Sequence, residues 1–367
     1  MFIEQIDRDE LLKPLQTVVG IVERKQPLPI LSNVLIEKNA SNIRLIATDL
    51  EIQIATEQKL ELNNEEGTVT VAAKKLQEIL RVLPEKSKIS LDIKENKLLI
   101  KTNKSRFSLQ TLPAKDFPLI SSQLESATKI TINQVLLKKL LGLVQYAMAQ
   151  QDIRYYLNGV LLLIEGNKIR LIATDGHRLA YVCSILDKDY IKQEVILSRK
   201  TVNELSKLLT DSEEVVNLEV AEKQIRFTFS NIVLTSKIID GKFPDYERVI
   251  PVYTNHLNLD RLTVLQALQR AAILSNEKFR GVRFVLTEKT LRIISSNSEQ
   301  EEAQEELEND YHGPALDIGF NVNYLLDGLN STTAQTVIFS FGDPNSSILI
   351  TVVGEDDYKY VVMPMRI

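Results

Sequence analysis

The sequence predicts an α+β chain made of three tandem units with a similar fold. The first observation behind this prediction is an internal repeat, because the heptapeptide Ile43–Asp49 recurs letter for letter at Ile169–Asp175. The second is the order of patterns, which is helix, strands, helix, strands in each unit. Strands that come in consecutive runs, rather than in strict alternation with helices, are typical of antiparallel sheets. A repeat of this kind indicates an array of similar units.

The repeat extends beyond the heptapeptide. Phe-Pro pairs at positions 117 and 243 have the same separation as the two heptapeptides, and Leu291–Asn297 is a fainter third copy. Polar or Pro-containing stretches follow the Phe-Pro pairs. We therefore predict units at 1–125, 126–253 and 254–367, each of roughly 120 residues and so of ordinary domain size.

Each unit has two predicted helices, recognised by apolar residues at helical spacing. The first helix of each unit begins at an N-cap residue, and the predicted spans are Asp9–Val22, Asn133–Ala149 and Asp260–Ser275. The second helices are predicted at Ala72–Leu83, Ser198–Leu209 and Asn321–Asn330. Strands fill the remainder, with a turn predicted at 165–167.

Composition argues for a cytoplasmic protein without a cofactor. The N-terminus shows no signal-peptide pattern, and no apolar stretch approaches the ~18 residues of a membrane span. The single cysteine, Cys183, lies in an apolar strand pattern and indicates a reducing compartment rather than a nucleophile. The chain has only three histidines, and no two of them have metal-ligand spacing, so we predict no metal site.

Charge is distributed unevenly along the chain. The net charge of −5 does not suit a protein that is basic overall. The predicted helices and their flanks are nevertheless net basic, whereas the strands and loops are acidic. If the helices share one side, that side attracts phosphate. Lys and Arg are also good helix formers on solvated faces, so charge alone leaves a nucleic-acid surface open.

A second charge feature concerns self-association. The third unit contains an acidic run at 299–308, whereas the first contains Lys101, Lys104 and Arg106 beside Phe107 and Leu109. An acidic edge and a basic edge on different units favour head-to-tail association, which can close into a ring.

The most enzyme-like string is Thr174–Leu179. Asp175 could orient His177, and Arg178 could bind an anion, so a hydrolase or transferase is one alternative. However, Asp49 occupies the same place in the first copy, which favours an Asp side chain that caps a turn. The chain also lacks a nucleophile elbow and a phosphate-binding glycine loop. An interaction scaffold that does not bind DNA is the other alternative.

The C-terminus is unusual because Met363 and Met365 flank Pro364. A proline ends a strand, so the methionines should lie at a surface. Soft methionine side chains suit a pocket for varied apolar peptides.

Several of these motifs together resemble the bacterial DNA polymerase III beta subunit family of sliding clamps, and the similarity runs over the whole chain. The motifs are Asp152–Gly159, Ala173–Leu179, Thr235–Lys237 with Phe243–Tyr246, Ile273–Gly281 and Met363–Arg366.

The resemblance implies a head-to-tail homodimeric ring, with helices lining a central hole and antiparallel sheets outside. Such a ring encircles double-stranded DNA without reading its sequence and tethers the replicative polymerase for processive synthesis. It performs no chemistry. The implied partners are the DNA polymerase III alpha subunit, the clamp loader, and other polymerases and repair proteins, all through clamp-binding peptides.

The resemblance also implies three sets of site residues. The deeper part of a partner-peptide pocket maps to Leu157, Thr174, Gly176, His177, Arg178, Leu179, Pro244, Val249, Val361 and Met363. The adjoining part maps to Arg154, Tyr156, Asn321, Tyr324, Ser347, Pro364, Met365 and Arg366. DNA contact maps to Gln151, Tyr155, Tyr156 and either Arg24 or Lys25, to which the basic helix starts add Lys74, Lys75, Arg199 and Lys200. The dimer joint maps to Lys104, Arg106, Phe107, Leu109, Ile273, Leu274, Glu301, Glu302 and Glu305.

Overall fold

The structure, a computed structural model, describes residues 2–23, 28–39, 41–59, 66–121, 124 and 126–366. The two alternatives for one DNA contact, Arg24 and Lys25, lie outside the described residues. In the ranges described, no helix is both long and apolar enough to span a membrane.

All the predicted helices are present, with somewhat different ends. They are α1 (Arg8–Val19), α2 (Ala73–Val82), α3 (Gln134–Val144), α4 (Arg199–Leu208), α5 (Arg261–Ile273) and α6 (Val322–Ser331). The second helix of each unit lies within about one residue of its predicted span. In the first helices the main errors concern where the helix begins or ends.

The first helix begins earlier than predicted, and Asp9 is not its N-cap. The cap is Asp7, whose backbone N–H donates to the Glu10 side chain (3.2 Å). Arg8 is buried and donates to the carbonyl of Leu83 (2.9 Å). This contact joins residues far apart in sequence, and periodicity alone could not reveal it.

All three first helices end earlier than predicted, and α1 stops at Val19 instead of Val22. Helix α3 stops at Val144, and a 3-10 turn at Gln145–Ala147 follows. Helix α5 stops at Ile273, but its predicted N-cap is correct, because the Asp260 carboxylate accepts a hydrogen bond from the Thr263 backbone N–H (2.8 Å).

The strands alternate with these helices as consecutive runs. The strands before α2 are β1 (Ile3–Asp7), β2 (Asn33–Asn39), β3 (Asn42–Thr48), β4 (Ile52–Lys59) and β5 (Gly67–Ala72). Those between α2 and α4 are β6 (Lys88–Lys94), β7 (Lys97–Lys101), β8 (Arg106–Leu112), β9 (Thr128–Asn133), β10 (Gly159–Thr174) and β11 (Arg178–Ser198). Those after α4 are β12 (Val215–Val220), β13 (Gln224–Phe229), β14 (Ile232–Ile239), β15 (Asn255–Asp260), β16 (Gly281–Leu286), β17 (Thr290–Ser296), β18 (Glu302–Glu308) and β19 (Leu316–Asn321), followed beyond α6 by β20 (Thr336–Phe341), β21 (Ile348–Val352) and β22 (Glu355–Val362). The turn predicted at 165–167 falls where β10 shifts register against β11, on both sides of Gly166.

The chain forms two compact units, which do not coincide with the repeats. The first comprises residues 1–135 and 203–238, and the second comprises 136–202 and 239–367. In the first unit, antiparallel pairing runs β1-β6-β7-β8-β5-β2-β3-β4-β14-β13-β12-β9. In the second unit, one series runs β10-β11-β22-β21-β20-β15 and another runs β18-β17-β16-β19. The boundaries predicted at 125/126 and 253/254 therefore remain a prediction.

The same pairing of two strands, which we call a joint, occurs once in each compact unit. In the first, β4 pairs with β14 so that Ile52 faces Ser236. In the second, β11 pairs with β22 so that Arg178 faces Val362. Both members of the second pair lie 126 positions after those of the first. The register is thus part of the repeat, as expected where one face of a sheet is buried.

Each joint has an apolar core, and the two cores share three equivalent positions: Leu35 and Leu161, Ile46 and Ile172, Phe117 and Phe243. In the first unit Leu35, Ile46, Ala55 and Phe117 are buried together. In the second unit the corresponding core is formed by Leu161, Ile172, Leu179, Ile196, Phe243 and Val361. Burial of these side chains is the main force that holds each joint.

Candidate functional site

The site is built on the turn between β10 and β11. The Thr174 hydroxyl donates to the Arg178 carbonyl (2.6 Å) and accepts from the Gly176 N–H (3.1 Å). The Asp175 carboxylate accepts from the backbone N–H groups of His177 (2.9 Å) and Arg178 (3.0 Å). Asp175 therefore caps a turn, and its oxygens are not directed at the His177 ring.

The side chain of Arg178 extends from this turn into a half-buried polar network. Its guanidinium donates to Asp175 (3.0 Å), to Asp327 (2.6 Å) and to the Tyr146 carbonyl (2.6 Å). It also lies over the Tyr324 ring, 4.4 Å from the centroid. Burial acts to lower the pKa of Arg178, but Tyr360 and Asp327 outweigh it and raise the pKa above its usual value. Arg178 is therefore a fixed, charged wall of the site.

Tyrosines pack around this guanidinium. The Tyr146 hydroxyl bonds the Tyr358 hydroxyl (2.8 Å), and the Tyr360 hydroxyl donates to the Tyr324 carbonyl (2.8 Å). Burial raises the pKa of the Tyr146 and Tyr360 hydroxyls well above the usual value. The rings stay neutral and satisfied, so they support Arg178 and supply no acid or base.

Arg154 forms the opposite rim. Its guanidinium makes two hydrogen bonds to the Asp152 carboxylate, at 3.0 and 2.8 Å. This bidentate contact holds the pKa of Asp152 at about 2. A Cβ atom at Gly176 would lie 3.1 Å from Arg154 Nη2, and Gly176 has φ +90°. Glycine therefore permits both the turn and the close approach of the arginine.

The C-terminal segment closes one side. The Met363 N–H donates to the His177 carbonyl (2.9 Å), and the Met365 N–H donates to the Gly319 carbonyl (2.8 Å). Met363 is 45% exposed, whereas Val361 is buried. Met363 thus lies at the surface after the last strand ends, as its position before Pro364 predicted, whereas Met365 is half-buried.

These elements line an open cavity of about 180 Å³. Most of the residues predicted for the deeper pocket line it, together with Arg154 and one residue that we did not assign, Tyr246. The lining residues are Arg154, Leu157, Thr174, Gly176, Arg178, Leu179, Pro244, Tyr246, Val249, Val361 and Met363. Tyr246 could have been found, because it directly follows the Phe243–Asp245 landmark.

His177 was predicted for the deeper pocket but does not line the cavity. Its side chain is exposed, and only its carbonyl contributes, through Met363. The capped turn directs this side chain to solvent. The same geometry argues against a hydrolase or transferase, because the Asp175 side chain is taken up by the turn and by Arg178.

The other residues of the predicted adjoining part have structural contacts nearby. The Tyr324 ring packs against the Arg178 guanidinium. Asn321 caps α6 by accepting from the Asn323 N–H (2.9 Å), and the Ser347 carbonyl accepts from the Tyr253 hydroxyl (2.7 Å). Tyr156 packs on the core of the joint. Pro364, Met365 and Arg366 follow the last strand and do not line the cavity.

The predicted DNA-contact residues differ in the exposure of their side chains. Gln151 and Lys75 are exposed, as is Tyr155 (60%), whereas Lys74 and Lys200 are half-buried. Arg199 donates to the carbonyls of Met148 (3.0 Å) and Ala149 (3.3 Å). Its guanidinium thus binds carbonyls that follow the 3-10 turn at Gln145–Ala147, a contact that a count of charges could not reveal.

The predicted dimer residues lie on β8 and β18, in the turns that precede these strands, and at the end of α5. Lys104, Arg106, Glu301 and Glu302 are exposed, and Phe107, Leu109 and Leu274 are half-buried. Ile273 is 76% exposed. Glu305 is already bound within its own chain, because Arg270 donates two hydrogen bonds to its carboxylate (2.9 and 2.6 Å). An intersubunit ion pair through Glu305 would have to share that arginine.

The described part of the chain contains no group of three or more His, Cys, Asp or Glu side chains placed to hold a metal ion. The exposed Glu side chains of β18 point outward along an edge strand, so their number does not create a site.

Comparison with known proteins covers the chain from end to end. Models of the N-terminal, central and C-terminal domains of the DNA polymerase III beta subunit match residues 1–121, 131–245 and 247–366. Beta sliding clamps from Pseudomonas putida and Escherichia coli are 47% and 42% identical to it, over 99% of each chain. A crystal structure of the Pseudomonas aeruginosa DNA polymerase sliding clamp with a ligand has a TM-score of 0.95 at 44% identity and covers all of both chains. A second, bound to griselimycin, has a TM-score of 0.95 at 45% identity, over 100% of this chain and 99% of that one.

Proposed function

The chain belongs to the DNA polymerase III beta subunit family, and on that premise we propose that two copies join head to tail into a ring around duplex DNA. Its function is that of a sliding clamp, a processivity factor for DNA synthesis, and it is not an enzyme. The ring works in the cytoplasm, where one of its surfaces faces DNA and another binds partner proteins.

One observation carries the proposal for ring closure. The joint between β4 and β14 recurs between β11 and β22 with the same register. In the repeat, β18 is the counterpart of β4, and β8 is the counterpart of β14. Within the described residues, β18 is an edge strand and residues 106–110 of β8 pair only with β7. A third joint of the same kind would therefore unite β18 with β8 of a second copy.

The side chains of these two strands fit such a joint. Both alternate between exposed and half-buried residues, as expected for strands that lack a neighbour. Arg106 and Lys104 on one side complement Glu301 and Glu302 on the other. Exposed pairs of this kind contribute only up to ~1 kcal/mol each, so backbone pairing and the apolar Phe107, Leu109 and Ile273 provide most of the stability.

The DNA surface is proposed on the helices and on the loop before β10. Lys74, Lys75 and Lys200 lie at helix starts, and Gln151 and Tyr155 are exposed on the loop. Contacts to phosphate carry no sequence information, so a ring with such contacts can slide. Arg199 is the weakest member of the set, because two carbonyls already accept from it.

The cavity bounded by Arg154, Arg178 and Met363 is proposed as the site for peptides from partners. It has an apolar floor and a few fixed polar groups, which is the usual composition of a recognition pocket. The proposed partners are the DNA polymerase III alpha subunit, the clamp loader, other polymerases and repair proteins. Tyr246 joins the predicted lining residues.

Topology provides the test of a ring. Full-length protein is loaded onto nicked circular DNA, and the complex is passed through a gel-filtration column before and after a single restriction cut. We expect the protein to stay with circular DNA and to leave the linear product, because a closed ring has no other route off. Linear DNA with blocked ends is the control and should retain the protein. Equal retention on circular and open linear DNA would contradict the ring.

A further inference from the structure

The floor of the cavity continues along two paired strands. Leu179 on β11 faces Val361 on β22, and both line the cavity. Two residues further from the turn, Tyr181 faces Lys359. Side chains two apart on a strand point to the same side of the sheet. Tyr181 and Lys359 therefore extend the surface on which Leu179 and Val361 lie.

This extension, which we name the Tyr181–Lys359 strip, joins the cavity through a shared ring. Tyr246 lines the cavity and also packs against Tyr181 in a tilted arrangement, with centroids 5.9 Å apart and planes at 31°. Lys359 Nζ lies 5.5 Å from the centroid of the Tyr181 ring. The strip thus adjoins the proposed pocket at the Tyr246 ring and has a cation on an aromatic surface.

A second cation lies beside the strip. Arg170 on β10 faces Cys183, the next residue of β11 on the side of Tyr181. Its side chain is 20% exposed and contacts Glu165 at 3.6 Å. Lys359, by contrast, has no carboxylate within ion-pair distance among the side chains that the structure describes. An incoming anion would therefore meet Lys359 first.

We propose that the Tyr181–Lys359 strip binds a carboxylate of the partner peptide, about two residues beyond the apolar side chain that enters the cavity. The spacing follows from geometry, because two residues span about 7 Å on the strand and a similar distance in an extended peptide. The aromatic surface favours the lysine ammonium and orders it for a counter-ion. This inference rests on the proposed peptide pocket and adds a preference for acidic residues at one position.

Two matched peptides test the proposal on the full-length protein. One fluorescein-labelled peptide contains Leu-Leu-Phe-Gly-Glu and the other Leu-Leu-Phe-Gly-Gln, both with amidated ends. Fluorescence anisotropy measures the Kd of each. We expect the Glu peptide to bind roughly 2- to 5-fold more tightly, as for an exposed ion pair. The Lys359→Gln variant should abolish that difference and leave the Kd of the Gln peptide unchanged.

The control variant is Lys188→Gln, which removes an exposed lysine elsewhere on β11 and should preserve the Glu preference. Raising the salt concentration should reduce the preference. Tight and equal binding of both peptides by the unmodified protein would overturn this inference and leave the peptide pocket intact. Failure of both peptides to bind would contradict the pocket itself, and this inference with it. A Glu preference that survives Lys359→Gln would also overturn the strip as its cause.

Discussion

The two identical heptapeptides end in turns of the same geometry that have different surroundings. In the first, Thr48 donates to the Ile52 carbonyl (2.9 Å) and the Asp49 carboxylate accepts from two backbone N–H groups (2.9 and 2.8 Å). In the second, Thr174 and Asp175 make the same bonds. The shared residues build the turn, whereas the residues that follow decide whether a pocket forms.

Several substitutions between the copies contribute to the difference. Arg178, which reaches into the tyrosine network, replaces the buried Ile52. Leu179, on the cavity floor, replaces Gln53, whose side-chain oxygen accepts from the Ile120 N–H (2.9 Å). Ile120 is the counterpart of Tyr246 in the repeat. In the first copy this hydrogen bond holds the segment at Ile120 against the strand. In the second copy the corresponding segment, at Tyr246, forms a wall of the cavity.

Removing the C-terminal segment should have the largest effect on peptide binding at the second turn. Truncation after Val362 deletes Met363 and the hydrogen bonds to the His177 and Gly319 carbonyls. We expect peptide binding to be lost while the dimer persists, because the proposed dimer strands lie elsewhere. Anisotropy and light scattering check the two properties. A truncated protein that is monomeric would refute this separation.

Replacing Arg178 by leucine should have the next largest effect. The change leaves the Asp327 carboxylate and the Tyr146 carbonyl without their donor. Breaking a buried pair costs roughly 3–5 kcal/mol, and since Asp327 is 44% exposed we expect about 2 kcal/mol. Urea unfolding should show this loss, and peptide affinity should fall at least tenfold. The matched control is Ile52→Leu, which should leave peptide affinity unchanged.

A reciprocal exchange at the third turn position should have a smaller effect. Gly176 has φ +90° and Leu50 has φ +78°. Gly176→Leu should cost about 1 kcal/mol through backbone strain and should weaken peptide binding several-fold by displacing Arg154. Leu50→Gly relieves the same strain and should not alter peptide binding. Equal effects of both exchanges on affinity would show that the turns are not functionally distinct.

The smallest effect concerns the rim pair of Asp152 and Arg154. The pKa of Asp152 is lowered to about 2, first by its side-chain hydrogen bonds from Arg154. A carboxyl with a lowered pKa contributes fully above its unfolded pKa of ~3.9 and loses that contribution as pH falls through about 2. Peptide affinity should therefore not change through this pair between pH 8 and 5. Asp152→Asn should lower affinity modestly at every pH in that range, as anisotropy can show.

The sequence predicts local and repeated features well and contacts between distant residues poorly. The turn at Asp175, the helices and most of the cavity lining follow from the repeat, from periodicity and from the family resemblance. The partners of Arg178 do not, because Asp327 lies 149 positions away and Tyr146 lies 32 positions away. The same limit explains the early start of α1 at Arg8 and the use of Arg199 to bond carbonyls. Such contacts depend on packing, which periodicity does not encode.

The most direct test of the central claim is the number of peptides bound per chain, measured by isothermal titration calorimetry with the Leu-Leu-Phe-Gly-Glu peptide. If only the second joint forms a pocket, each chain binds one peptide. A variant with Gly176→Leu, Arg178→Ile and Leu179→Gln, which copies the first joint, binds none and keeps the mass of the dimer. Two peptides per chain, or undiminished binding by this variant, would contradict the account.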